Sequence, residues 1–188
     1  MADDLGFVAI SDLWASIAAL GHGDDVRLIG GYMVTLHVIR WNLGNELYRE
    51  SQDIDLGVPY AIARDTALVE SLTAKNYERE GGNRYVKAVT DVPLELDAEA
   101  PTPYAAIDIL LMPATSHARE NVRLGDHLTT TEVPGLAEAL NRPGVRLDLK
   151  LQRLNAEVLT ATVTLADEVS LLVLKALSCA RPVVERTR

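Results

Sequence analysis

Arg49-Glu50-Ser51-Gln52-Asp53-Ile54-Asp55-Leu56-Gly57-Val58 is the stretch on which the fold turns. Its second half alternates. Successive side chains of an extended chain point to opposite faces, so Ile54, Leu56 and Val58 share one face and Asp53, Asp55 and Gly57 the other. Two carboxylates two residues apart in a strand can share one hard cation through their oxygens. Mg²⁺ favours octahedral oxygen ligation and takes one or two carboxylates together with substrate phosphates. Burying two like charges side by side without a cation is costly. A strand whose polar face meets solvent also accounts for an isolated D-x-D, so the context decides.

Upstream, Val26 to Ile29 reads as a short buried strand broken by Gly30-Gly31. A helix is predicted from about Tyr32 to Trp41, with Tyr32, Leu36, Ile39 and Leu43 on its apolar face and His37 and Arg40 together on another. Strand, Gly-Gly turn and helix let backbone N–H groups approach a phosphate beside the positive end of the helix. Gly-Gly by itself is also an ordinary turn. Before this unit, Ser11 to Leu20 reads as a first helix capped by Ser11 or Asp12.

Downstream, Pro59 ends the strand, Ile62 to Ala74 reads as a helix, and Tyr77 to Val89 as a hairpin around Gly81-Gly82-Asn83. Residues 91–103 are acidic and proline-containing, a loop with a short extended piece. Ala105 to Met112 is the next strand, with Asp108 on the face of Ala106 and Leu110. A carboxylate among Ile107, Ile109, Leu110 and Leu111 needs a partner or a solvent-lined site, or else lies at a sheet surface. Pro134 to Leu140 reads as a short helix, Val145 to Leu151 and Ala161 to Leu165 as extended, and Asp167 to Ala180 as the last helix, capped by Asp167. There is no internal repeat and no low-complexity linker, so one compact α+β unit is expected: a mixed β-sheet flanked by helices, with residues 1–116 as its core and residues 117–188 as a smaller C-terminal part ending in a helix.

Composition agrees. Of 188 residues, 48% are apolar and only 5% aromatic, so the core is built of Leu, Val, Ile and Ala. The net charge of −9 is unevenly placed: residues 1–116 carry 18 acidic and 8 basic side chains, residues 117–188 carry 9 and 10. A wholly acidic surface repels nucleic acid. Here the later part offers Arg142, Arg146, Lys150 and Arg153, then Arg181, Arg186 and Arg188, which read as a solvated face or as a contact surface for a polyanion. The single cysteine, Cys179, permits no intrachain disulfide and reads as a buried structural thiol. No Cys/His cluster suggests zinc. Met1-Ala2-Asp3-Asp4 lacks the basic start of a signal peptide, and no apolar run approaches the ~20 residues that span a bilayer, so a cytoplasmic protein without a membrane partner is expected.

Taken together, Leu28-Ile29-Gly30-Gly31 through Leu36-His37 and Arg49-Glu50-Ser51-Gln52-Asp53-Ile54-Asp55-Leu56 resemble the nucleotidyltransferase superfamily, and more closely its AbiEii/MenT-type toxins. The family pattern reads Gly-Gly, Leu-His and Arg-x-Ser/Thr-x-Asp-x-Asp, and every element is present. Two further segments are similar: Thr130 to Leu140, and Leu171-Leu172-Val173-Leu174-Lys175-Ala176-Leu177 followed by Arg181. The resemblance touches about two-thirds of the chain.

The resemblance implies the nucleotidyltransferase fold, with Asp53 and Asp55 holding Mg²⁺ and Asp108 as the third superfamily carboxylate. Gly30 and Gly31 would border the nucleotide. Ser51 matches a hydroxyl position that in some such toxins is phosphorylated; a polar residue entering a strand is the plain alternative. Lys175 matches a lysine that contacts nucleotide phosphates; on its apolar helix, with Leu171 and Ser178 along its face, it must snorkel or meet an anion. Arg49, Arg40 and His37 read as helix-surface or structural residues. The implied reaction moves NMP from an NTP to an RNA acceptor, the tRNA 3′ end, and arrests translation, with a cognate antitoxin protein as partner. The implied Lys-Asp-x-x-Asp stretch after the Lys175 helix does not occur before Arg188, so a 188-residue form is expected to be less active than one carrying it. A catalytically degenerate relative that binds nucleotide or a protein partner is the rival expectation.

Overall fold

The computed structural model describes residues 2–43, 51, 53–90, 103–115, 117–153 and 155–179. Arg49 and Arg181 of the motifs, residues 91–102 of the expected loop over 91–103, and the basic residues Arg186 and Arg188 lie outside them.

The first helix, α1, runs Ala2–Leu20, longer than its apparent cap implied. Leu5, Ala9, Leu13 and Ile17 recur every fourth residue and are buried, a stripe that continues straight through Ser11-Asp12. Asp12 is not a cap. It accepts from Lys87 Nζ at 2.9 Å and from the Tyr77 hydroxyl at 3.4 Å, tying α1 to the sheet.

After α1 come β1 (Arg27–Ile29), α2 (Gly30–Arg40) and β2 (Asp53–Val58). The glycines do not separate β1 from its helix: they are the first turn of α2, and Gly30 has φ +70°. The expected helix over 62–74 is two, α3 (Tyr60–Arg64) and α4 (Ala67–Thr73). Asp65 between them turns extended, with ψ 134°, and its carboxylate accepts the Ala67 N–H at 3.0 Å, which stops one helix and starts the next.

The hairpin over 77–89 is present as β3 (Glu78–Gly81) and β4 (Arg84–Ala88), followed by β5 (Tyr104–Leu111). A two-stranded ribbon, β6 (Val122–Leu124) and β7 (Leu128–Thr130), was not foreseen. Three-residue strands are too short for alternation to register. Then follow α5 (Leu136–Asn141), β8 (Val145–Gln152), β9 (Val158–Leu165) and α6 (Glu168–Cys179). Asp167 caps α6 as expected, accepting the Ser170 N–H at 2.8 Å.

Seven strands form one mixed sheet in the order β3-β4-β5-β2-β1-β9-β8. The pairs β2/β5 and β1/β9 are parallel; the other four are antiparallel. The protein is α+β, a mixed sheet flanked by helices. The strands of 145–165 complete the edge of the same sheet that β1 and β2 centre. Ile54, Leu56 and Val58 are fully buried, and α1 packs across β9, β5 and β2. On the other face Gly57 lies under Leu136 of α5, whose methyl carbon would stand 2.5 Å from an added Cβ. Among the described residues no helix is long and apolar enough to cross a membrane.

Candidate functional site

Strand register builds the site. In the parallel β2/β5 pair Asp53 stands beside Ala106, Asp55 beside Asp108 and Gly57 beside Leu110. Alternation therefore puts Asp53, Asp55 and Asp108 on one face of neighbouring strands. On the other side of β2, Asp55 pairs with Ile29, the last residue of β1, so its carboxylate rises against the first turn of α2. A Cβ on Gly30 would lie 1.8 Å from Asp55 Oδ2. Only glycine admits the carboxylate there, and its positive φ excludes most other residues independently.

Gly31 approaches Ser51 in the same way: an added Cβ would stand 3.0 Å from Ser51 Oγ. That hydroxyl donates to Asp53 Oδ1 at 3.0 Å and to the Asp53 carbonyl at 3.2 Å, so Ser51 orients the first carboxylate at the strand entry.

A cavity of about 430 Å³ opens beside this turn, bordered by Gly30, Gly31 and Asp55, by Leu171 and Leu174 of α6, and by Lys175. The exposed Lys175 thus shares one cavity with three of the residues singled out from the sequence. Asp53, Asp108 and Ser51 stand outside its lining. Helix α6 is held in place from α2. His37, buried, hydrogen-bonds the Ala166 carbonyl at 2.9 Å, and Arg40 pairs with Glu168 at 2.8 Å. The Leu-His pair of the motif is structural here: it anchors the start of the helix that carries Lys175.

Three residues escaped the sequence reading. Arg84, on β4, lies opposite Asp108 in register. One of its nitrogens, Nη1, sits 3.2 Å from Asp53 Oδ2 and 3.0 Å from Asp108 Oδ2, while Nε reaches Glu80 Oε2 at 3.1 Å. Asn83 Nδ2 donates to Asp108 Oδ1 at 3.5 Å. The hairpin itself was legible, but nothing local announces which β5 residue a hairpin residue will face.

Electrostatics follow from this packing. Burial, then Asp53 and Asp108, push the Asp55 carboxyl up to about 7, and Arg84 only partly opposes them. Burial likewise raises Asp108, against the pull of Arg84. Arg84 is raised in turn: burial works against its charge, but Asp108 and Asp53 outweigh it. Carboxylates exceed cations at the site, and their oxygens are the hard donors that a divalent cation of the Mg²⁺ kind takes. Among the described residues, though, no three His, Cys, Asp or Glu side chains already stand as a ligand set, and Arg84 occupies the space between Asp53 and Asp108.

A second polar network lies apart from these residues. Glu132, fully buried, accepts from Arg119 Nη2 at 2.7 Å, from the Tyr60 hydroxyl at 2.8 Å and from the Arg119 backbone N–H at 2.8 Å. Arg119's hydrogen bond above all holds its carboxyl at about 2. With each oxygen hydrogen-bonded, this network reads as a structural tie between α3 and the segment after β7.

No protein-family model, curated protein or solved structure matches the chain.

Proposed function

We propose that the chain is a metal-dependent nucleotidyltransferase of the nucleotidyltransferase fold, moving NMP from an NTP to the hydroxyl of an RNA acceptor, the tRNA 3′ end, and so blocking translation as a toxin of the AbiEii/MenT type held in check by an antitoxin protein in the cytoplasm. The observation that supports it best is the meeting of Asp55, paired with Asp108, and the Gly30-Gly31 turn at a cavity that Lys175 also borders.

In this reading the triphosphate lies along the first turn of α2. Helix N-termini carry unpaired N–H groups and partial positive charge, which suits phosphate oxygens. Lys175 adds a mobile ammonium from the opposite wall. Leu171 and Leu174 receive the base and keep water from it; about 430 Å³ lies within the range of small-molecule pockets. Asp53 and Asp55 would hold Mg²⁺, with Asp108 as the third carboxylate. Bound there, the ion would neutralise charge on the phosphate oxygens and on the attacking and leaving oxygens. The acceptor hydroxyl oxygen bonds to the α-phosphorus while the bond to the α–β bridging oxygen breaks. Pyrophosphate leaves, and the hydroxyl proton passes to solvent. Ser51 keeps Asp53 oriented throughout.

One observation favours a second reading. Arg84 already bridges Asp53 and Asp108, as it would in a degenerate member of the fold that binds nucleotide or a protein partner without turnover. Incubating the protein with α-labelled NTPs, Mg²⁺ and total tRNA separates the two. Label on tRNA that Asp53→Asn eliminates supports the transferase. Calorimetric NTP binding without label supports the second reading, and neither signal from folded protein removes the transferase and the nucleotide-binding form of the second reading.

A further inference from the structure

Between the end of α3 and the β6/β7 ribbon lies a cleft of about 520 Å³. It shares no lining residue with the cavity beside Gly30. Arg64, Arg119 and Arg123 line it together with Tyr60 and His127, and no Asp or Glu does. That sign runs against the chain as a whole, which carries 27 acidic and 18 basic side chains. The three arginines come from separate segments: the last turn of α3, the stretch before the ribbon, and β6.

Two of them offer nitrogens that nothing occupies. Buried Glu132 accepts from Arg119 Nε and Nη2, and the Tyr60 hydroxyl also accepts from Nη2. This fixes the guanidinium plane and leaves Nη1 without a hydrogen bond among the described residues, on a side chain 55% exposed. Arg64 is exposed and has neither hydrogen bond nor ion pair among the described residues. Arg123 has one ion pair, with Asp126, and both side chains stand in water. An exposed pair of this kind is weak and yields to a stronger anion. His127 is held against α3 by the Ala63 carbonyl, 3.1 Å from Nε2.

We propose that this cleft binds a terminal phosphate group, carried by a small phosphorylated molecule or by the 5′ end of an RNA strand. A guanidinium fork matches phosphate oxygens, and a phosphomonoester presents three of them, one for each arginine. A carboxylate presents two. Val122 and Leu124 give the cleft an apolar lining for the group bonded to the phosphate, and its volume lies within the range of small-molecule sites. No residue of the β2/β5 carboxylate cluster takes part, so the transferase reading stands or falls separately.

The test is calorimetric titration of the full chain with inorganic phosphate, with glycerol 3-phosphate, and with a short RNA oligomer carrying or lacking a 5′ phosphate. Inorganic phosphate is expected to bind saturably. Arg64→Gln should weaken that binding about tenfold or more, the factor for one lost charged hydrogen bond. Arg146→Gln removes the same charge from an exposed position on β8 and should leave the affinity unchanged. If Arg64→Gln does not fold, Arg123→Gln carries the same expectation, since its side chain is 72% exposed. Tighter binding of glycerol 3-phosphate than of phosphate, with no gain from RNA, identifies a small molecule. Tighter binding of the 5′-phosphorylated oligomer than of its 5′-hydroxyl form, lost in Arg64→Gln, identifies an RNA end. Absence of saturable phosphate binding overturns the proposal, as does equal phosphate affinity in wild type, Arg64→Gln and Arg123→Gln.

Discussion

Asp55 and Asp108 stand side by side across a parallel strand pair, with Gly30 closing over the first of them. Two half-buried carboxylates so placed repel one another unless a cation or a proton intervenes. In the transferase reading, function and stability therefore pull in opposite directions at Asp55.

Asp55→Asn removes that conflict. The carboxyl is raised from 3.8 to about 7 in the folded protein, which therefore binds a proton more readily than the unfolded chain. Its charge costs stability progressively as pH rises from about 4 to 7, and fully above that. Urea unfolding in metal-free buffer should show the variant more stable by on the order of 1–3 kcal/mol at pH 8, with the gain vanishing near pH 4. The same variant should transfer no nucleotide. A variant less stable at pH 8 would contradict the charge argument.

Gly30→Ala should be the most damaging of the small substitutions at the turn. The new methyl would collide with Asp55 at a backbone φ of +70°. Strain of this kind costs about 1–3 kcal/mol. Gly31→Ala meets only the Ser51 side chain, Oγ at 3.0 Å and Cβ at 3.2 Å, with ordinary φ, and should cost less. Paired thermal melts rank the two, and the reverse ranking would mean that Asp55 is placed differently.

Lys175→Ala should weaken NTP binding more than it lowers stability. The side chain is exposed, so its packing contribution is small. A charged hydrogen bond to phosphate contributes about 1.5–3 kcal/mol, or roughly ten- to a hundredfold in Kd. An unchanged Kd with a lowered Tm would assign the lysine to packing alone.

Glu132→Ala should destabilise by about 1–3 kcal/mol, because the Tyr60 hydroxyl and the Ala114 and Arg119 backbone N–H groups lose their acceptor, while the exposed Arg119 guanidinium can turn to water. In the wild type the Glu132 carboxyl falls from 4.5 to about 2 on folding. Its stabilisation is complete above pH ~5 and is lost as pH falls through the range down to 2. The mutant's acid-unfolding curve should be flatter there. A mutant as acid-sensitive as wild type would place the titrating group elsewhere.

Local chemistry made much of this protein legible. The alternation of Asp53 to Val58 marked a strand with a polar and an apolar face, and both appear as read. Asp167 capped its helix as read because capping involves only the next few residues. Where short-range signals competed, they misled. Ser11-Asp12 looks like a helix start, yet the apolar stripe running through it prevails because burying Leu5 and Ala9 outweighs a cap.

On α2 and just past it the sequence misplaced Ile39 and Leu43, which are exposed while His37 is buried; by itself, then, it determined which residues of β2 share a face and that Asp53 and Asp55 form a pair. It did so because periodicity and turn chemistry act over a few residues. Only the tertiary structure decided that Asp108 comes to rest beside Asp55, that β9 lies next to β1, and that Arg84 reaches between two carboxylates. Those are matters of strand register. A strand's own pattern says which side chains point together, but its neighbour and its alignment are set by packing the buried faces of distant segments into one core.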